Sequence, residues 1–422
     1  MPRSTGRLPG PLLALMLLAT TAACTTTDEP RPGVQAPTLP QARQLAPGVG
    51  YQEFTADGPT GPVRGHLLRI APDAPVRLTG LYGRQLAEPQ TVRDAAGRAR
   101  ALAAINASYF DIRGGRGFAG YPGDPSGLYV QDGRVLSESR NDAAALLIDH
   151  ADGRTTARIA AVRTTGRITT DGAGRPLDGV NRVAGRLRPC PGAGRHTADH
   201  TPLTRDARTG LCKDPDEIVE FTADWGPTTP DGGRDTAEAL LDAQGTVREL
   251  RSPAGGPLTT GGRTLYGIGD GAHWLRTHAR PGTRVNAATT LSTPNGEPLP
   301  GTADTAIGGG ARLLEDGRTL PAAPSSAKTD RPPRTVAGVT ADGTVLLLVL
   351  DGREPGVSTG ATLKETADLL RSLGAVDGLN LDGGGSSTMV VGDELVNSPR
   401  ESTGDPVSER KVATALAILP SA

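Results

Sequence analysis

Thr344-Val-Leu-Leu-Leu-Val-Leu350 is a continuous apolar run, the pattern of a strand buried on both faces. It stops at Asp351-Gly-Arg353. Thr362-Leu-Lys-Glu365 is then a capping box, and Leu363, Ala367, Leu370 and Leu373 fall on one side of the helix it opens. Gly374 suits the C-terminal end of that helix. A second strand, Val376-Asp-Gly-Leu-Asn-Leu381, runs into Asp382-Gly-Gly-Gly-Ser-Ser387. Strand, capped helix and strand predict a parallel β-α-β crossover with the two strands side by side. Both strands would then finish at one sheet edge, bringing Asp351 and Asp382 together. Ligands of open α/β sheets bind outside such strand ends.

Upstream, Thr91-Val-Arg-Asp94 predicts a short capped helix. Ala101-Leu-Ala-Ala-Ile105 predicts a buried strand that ends at Asn106. Asp-Gly dipeptides at 132–133, 152–153, 178–179, 231–232, 316–317 and 342–343 mark hairpins. The expected fold is α+β: a β-rich mixed sheet core with the C-terminal parallel β-α-β unit and a β-rich insertion. The catalytic domain would comprise residues 48–154 and 305–422, with the insertion at 155–304.

The N-terminus predicts export. Arg3 and Arg7 precede the short apolar stretch Leu12–Ala19, which reads as a signal peptide over 1–23 and is too short to span a bilayer. Thr21-Ala-Ala-Cys24 resembles a lipoprotein cleavage region, with Cys24 lipidated and residues 24–47 a Thr/Pro-rich flexible tether. Ordinary secretion is the other reading. The remaining cysteines, Cys190 and Cys212, are expected to form a disulfide outside the cell. Zinc held by Cys190, His196, His200 and Cys212 is the rival, although the spacing matches no zinc motif. A formal net charge of −1 offers no electrostatic case for nucleic acid, and only the lipid anchor would bind a membrane.

Two acids at a sheet rim suit acid/base work or cation binding. Gly383, Gly384 and Gly385 would let backbone amides approach an anion, with Ser386 and Ser387 adding hydroxyls. Arg334, Arg353 and Arg410 are candidates for clamping a phosphate. A lone Asp-Gly is usually only a turn, and a glycine run only a tight bend. Asp382 stands out because three glycines and two serines follow it directly after a buried strand. There is no P-loop, no G-x-S-x-G elbow and no H-E-x-x-H, and none of the six histidines sits in a recognisable triad context.

Arg334-Thr-Val-Ala-Gly-Val339, Leu350-Asp-Gly-Arg353, Ser358–Leu363 and Asn380–Ser387 together resemble the phosphodiester glycosidase family. Ala104-Ile-Asn-Ala-Ser-Tyr-Phe-Asp111 and Ile307-Gly-Gly-Gly-Ala-Arg-Leu-Leu314 are similar to its upstream and central motifs, with Ala107 where glycine is common. The resemblance implies hydrolysis of a sugar's C1–O–phosphate linkage in a sugar-phosphate-containing glycan; no cofactor is expected, with a divalent cation such as calcium left open. It implies Asp382 as the principal carboxylate, Asp351 as a second acid or orienter, and Asn106 orienting sugar or water. Arg334, Thr335, Arg353, Arg410, Tyr109, Asp111 and the Gly383–Ser387 loop would contact substrate. Two alternatives stand beside it: a glycan-binding lipoprotein with calcium between Asp351 and Asp382, and a polysaccharide glycosidase that needs no phosphate.

Metabolic labelling with a lipid precursor is expected to mark the parent chain but not Cys24→Ala. An unlabelled parent removes the anchor.

Overall fold

The computed structural model describes residues 34–110, 123–140, 142–187, 204–205, 211–258, 261–299, 303–321 and 330–421. Cys24, Asp111, Cys190, His196 and His200 lie outside them, as do the predicted signal peptide, 1–23, and residues 24–33 of the expected tether. The disulfide and zinc readings therefore stay expectations. Cys212 is buried on a short strand, Cys212–Lys213.

The N-terminal half supplies strands β1 (Val49–Gly58), β2 (Gly61–Ile70) and β3 (Val76–Tyr82), helix α1 (Val92–Ala99) and strand β4 (Ala103–Asn106). The C-terminal half supplies β5 (Arg312–Glu315), β6 (Arg334–Thr340), β7 (Val345–Leu350), helix α2 (Leu363–Ser372), β8 (Ala375–Asn380), β9 (Met389–Val391) and β10 (Thr414–Pro420). The eight-stranded sheet runs β1-β2-β7-β6-β8-β5, extended by a short edge strand at each end. A five-stranded sheet carries β9-β4-β10-β3. A seven-stranded sheet is built around Ala143–Ala151 and the long strand Arg154–Thr170. Within 155–304, the strands Ile218–Thr222, Thr236–Leu241 and Arg263–Ile268 belong to another five-stranded sheet with its own apolar cluster.

The local expectations hold where local chemistry decides. Thr91 Oγ1 accepts the Asp94 amide at 3.0 Å and opens α1. Both arms of the Thr362–Glu365 capping box form, and Gly374 takes φ +100° just beyond α2. Asp132-Gly133, Asp152-Gly153 and Asp316-Gly317 all have positive φ at both residues, the backbone of type I′ hairpins. Asp178-Gly179 is no hairpin: it leads into a short parallel pairing with Ile218–Thr222.

One expectation needs correcting. β7 and β8 point the same way but are not neighbours. β6 lies between them and pairs antiparallel with both, Arg334 opposite Leu350 and Val336 opposite Asn380. The cause is the tight turn at Asp342-Gly343. It folds β6 back on β7 as a hairpin and fills the slot that a direct parallel partner would need. The sheet is thus laddered antiparallel, and α2 crosses over two strand positions. The two strand ends still share one edge, now with the start of β6 between them.

β7 is buried on both faces, as its run of apolar residues predicts. Val345, Leu347 and Val349 join the central core with Leu68, Ile105, Leu146 and Leu416. Leu346, Leu348 and Leu350 pack with Phe54, Leu67 and the α2 residues Leu369 and Leu370. Leu348→Ala is expected to cost about 2–5 kcal/mol in urea unfolding, the range for a buried leucine that leaves a cavity. Val357→Ala, at a side chain 40% exposed, should stay within about 0.5 kcal/mol of the parent.

Candidate active site

Asp382 follows β8, and its amide donates to the Ala107 carbonyl at 3.1 Å. Its own carbonyl accepts Asn106 Nδ2 at 2.6 Å. Asn106 is fully buried at the end of β4. Its Oδ1 accepts Thr335 Oγ1 at 2.7 Å and the Thr388 amide at 3.0 Å. One side chain therefore ties β6, the loop after β8 and the approach to β9. Asn106, expected to orient sugar or water, and Thr335, expected to contact substrate, here hold the backbone of the carboxylate in place.

Burial is the largest influence on the Asp382 carboxyl and raises its pKa to about 6. The Ser386 hydroxyl, the Arg410 charge, the Gly383 amide and the Arg140 charge oppose that rise. Ser386 Oγ also accepts Arg410 Nη1 at 3.2 Å, so it links acid to guanidinium. Arg410 is held by both Glu401 oxygens.

The amides of the glycine loop turn inward. Gly383 N donates to Asp382 Oδ1 at 3.0 Å, Gly384 N to Pro333 O at 2.8 Å, Ser386 N to Gly383 O and Ser387 N to Gly384 O. These four amides are committed within the protein and are not donors of the expected anion nest. The glycines serve close approach instead. A Cβ on Gly385 would stand 2.5 Å from Arg410 Nη2, and Gly384 has φ +64°. Ser387 Oγ is buried, with no hydrogen-bond partner among the described residues.

Tyr109 stands across from this loop. Its hydroxyl accepts Asn380 Nδ2 at 2.7 Å. Burial, then the negative charge of Asp382, pushes the phenol up to about 12, so it stays a proton donor. The same residue explains part of the central glycine motif, since a Cβ on Gly310 would come within 2.7 Å of the hydroxyl. Arg334 is buried at the start of β6. Its Nε donates to Ala361 O at 3.0 Å and its Nη2 to Asp330 O at 3.2 Å. Arg353 Nη1 donates to the carbonyls of Arg400 and Glu401 at 2.8 and 2.6 Å. Neither arginine has a carboxylate partner among the described residues. Burial lowers the Arg334 pKa, the cost of keeping a cation out of water without a counter-charge.

Asp351 does not join Asp382. It is fully buried, with Oδ2 accepting Arg64 Nε at 2.7 Å and lying 3.2 Å from His66 Nε2. Its Oδ1 accepts Asn397 Nδ2 at 3.1 Å and the Ser398 amide at 3.0 Å. Four contacts occupy the lone-pair positions of a carboxylate. Burial by itself would raise this acid. The His66 hydrogen bond and charge, the Ser398 amide and the Arg64 charge prevail and pull it down to about 2. Asp351 is therefore an anchor. Through Asn397, which also bonds Ser387 O and the Met389 amide, it holds the end of the glycine loop. With both oxygens facing these donors, it offers no ligand set for the calcium alternative. Sequence patterns gave no hint of Arg64, His66 or Asn397, because they meet Asp351 only through long-range pairing.

The family model for phosphodiester glycosidase matches residues 235–419. The chain belongs to this family. Among solved structures, a Burkholderia pseudomallei protein provisionally described as exported shares 30% identity at a TM-score of 0.72, covering 86% of this chain and 75% of its own. A hypothetical protein from Synechocystis shares the fold at 20% identity and a TM-score of 0.67, over 91% of this chain and 64% of its own. The zebrafish N-acetylglucosamine-1-phosphodiester α-N-acetylglucosaminidase catalytic domain, auto-inhibited by its pro-peptide, aligns at 14% identity and a TM-score of 0.42, over 92% of this chain and 88% of its own. No functionally curated protein matches the chain. In this family member the matched segment contains Asp382 and the three candidate arginines, whereas Asn106 and Tyr109 reach the site from outside it.

The two aspartates should separate in a stability assay. Asp351→Asn leaves Arg64 and His66 facing a neutral amide and is expected to cost about 3–5 kcal/mol, as for a broken buried pair. Its pKa lies below the ordinary value, so its stabilisation is present above about pH 4 and lost as pH falls towards 2. Asp382 has the opposite sign: its raised pKa lowers stability progressively as pH rises from about 4 to about 6, and the penalty is complete above that. Asp382→Asn should hold or raise stability at pH 7, by roughly 1–2 kcal/mol. Denaturant titrations of both variants at pH 4.5 and 7 check this.

Proposed function

We propose that this chain is an extracytoplasmic phosphodiester glycosidase that hydrolyses the C1–O–phosphate bond of a sugar-1-phosphodiester in a cell-surface or environmental glycan. One observation carries the reading: a carboxyl held to about 6 shares its site with Arg334 and Arg353, cations without a carboxylate partner among the described residues. A water oxygen bonds to the anomeric carbon and gives a proton to the Asp382 carboxylate, the bond from that carbon to the bridging oxygen breaks with its electron pair on oxygen, and the phosphate leaves as a monoester dianion. The phosphate gains one negative charge in this step. Spare guanidinium charge is worth most where charge develops in that way.

A phosphate monoester leaves without being protonated, so Asp382 is better used ionised, facing the anomeric carbon and the incoming water. A carboxylate titrating near 6 is a stronger base than an ordinary aspartate and is still ionised at neutral pH. Tyr109 and Ser386 donate towards substrate and carboxylate. Arg410, already paired with Glu401, positions Ser386. Export is supported by the N-terminal signal pattern and by the description of the Burkholderia relative as exported. Lipidation of Cys24, a Cys190–Cys212 disulfide and a catalytic domain split by the 155–304 insertion complete the proposal. Among the described residues no helix is long and apolar enough to cross a membrane.

Turnover of an aryl sugar-1-phosphodiester is expected to rise with pH through an acid limb near 6, and Asp382→Asn should lower kcat by about 10³-fold or more. Free sugar is the product to measure. Near-parental turnover by Asp382→Asn would refute the role. Binding across a panel of glycan phosphates without any turnover would make the protein a recognition module.

A further inference from the structure

A third cation faces the same tyrosine. Arg140 lies on the segment after the strand Arg134–Ser137, and its guanidinium carbon sits 5.2 Å from the centre of the Tyr109 ring. Its Nε and Nη2 both donate to one acceptor, the Ser126 carbonyl, at 3.3 and 3.0 Å. It forms no ion pair with any carboxylate among the described residues, and its side chain is exposed. Both Tyr109 and Asp382 feel its charge. Arg140 also lines a small crevice with Gly127, Ser139, Gly308 and Gly309, and a Cβ on Gly127 would stand 3.7 Å from its Nε.

The position of Arg140 is imposed from outside the catalytic halves. Glu138, two residues earlier, accepts Arg182 Nε at 2.5 Å and the Val180 amide at 3.0 Å. Asn181 Nδ2 donates to Leu136 O at 3.1 Å. Arg182 is itself buried and forked onto Glu217 by two bonds of 2.8 Å. Residues 180–182 thus grip the segment that presents Arg140. Two residues of its approach, Leu136 and Glu138, are held in this way.

We propose that Arg140 is a further substrate contact of this site, binding the non-bridging oxygens of the sugar-1-phosphodiester opposite Arg334, and that Glu138 is a positioning residue for it. The inference rests on the phosphodiester glycosidase reading and deepens it. Recognition of the phosphate is then shared between the C-terminal half, through Arg334, and a segment braced by the insertion. The diester is anionic in the ground state as well as in the transition state, so the contact is made before reaction and appears chiefly in KM.

Arg140→Met keeps the stem that covers Tyr109 and removes the charge. It is expected to raise KM for an aryl sugar-1-phosphodiester about 10-fold or more while kcat changes less than about 3-fold, the signature of lost uniform binding. Arg140→Lys should recover part of the loss, since it restores charge without the planar fork. Glu138→Gln should shift KM in the same direction, and the double variant with Arg140→Met should show little further change. Calorimetric titration of the full chain with a sugar 1-phosphate gives a second readout independent of turnover, in which Arg140→Met weakens binding. Unchanged KM, or unchanged sugar-phosphate affinity, in Arg140→Met overturns the contact. Additive effects of the two substitutions overturn the positioning role. A parent chain that binds sugar phosphate but releases no sugar defeats the catalytic reading alone, whereas a parent that binds none defeats both.

Discussion

Everything at the site hangs on the side-chain amide of Asn106. It is buried where two sheets meet, and it spends its hydrogen-bonding capacity on three separate segments: the Asp382 carbonyl, the Thr335 hydroxyl and the Thr388 amide. A buried amide left unpaired is costly, so the three segments can move apart only by breaking bonds that no water replaces. That constraint sets the backbone of Asp382 before any question of chemistry arises. Asp351 repeats the logic on the other side of the loop, holding Asn397 and through it Ser387. The carboxylate that matters is thus suspended between two polar anchors, neither of which needs to touch substrate.

The two aspartates show how environment divides one residue type between two tasks. Both follow buried strands and both precede glycine. Asp351 is met by an arginine, a histidine, an amide side chain and a backbone N–H, and these offset its burial. Asp382 is met by a hydroxyl and its neighbour's amide, with Arg410 already committed to Glu401, and burial prevails. The difference lies in which donors the fold delivers: β2 and the Asn397-Ser398 segment supply Asp351, whereas the residues just after Asp382 supply that acid.

That origin decides what was legible beforehand. The apolar run at 344–350, the capping box at Thr362, three type I′ turns and the glycine loop after Asn380 are readable because each is settled within a few residues. The adjacency of β7 and β8 was not, because the Asp342-Gly343 turn and the β-α-β pattern make competing claims on one slot and the hairpin wins. The role assigned to Asp351 failed for the same reason at larger scale: Arg64 and His66 are 287 and 285 positions away and carry no motif. Arg140 sits in Ser137-Glu-Ser-Arg140, which has no pattern at all. The importance of Asn106 was visible, but its task was mistaken, since an asparagine at a strand end looks equally suited to holding a ligand or holding the protein.

The strand pairing has a temporal consequence. β2 pairs with β7 and β3 pairs with β10, so strands near the start of the folded region find their partners close to its end. A sheet edge waiting for residues 345–350 and 414–420 cannot close early, and loops of this length make such closure slow. The central core therefore completes only after nearly the whole chain is available. Under the proposed export, late closure would be an advantage, because the topology itself postpones the native state until the C-terminal strands are available.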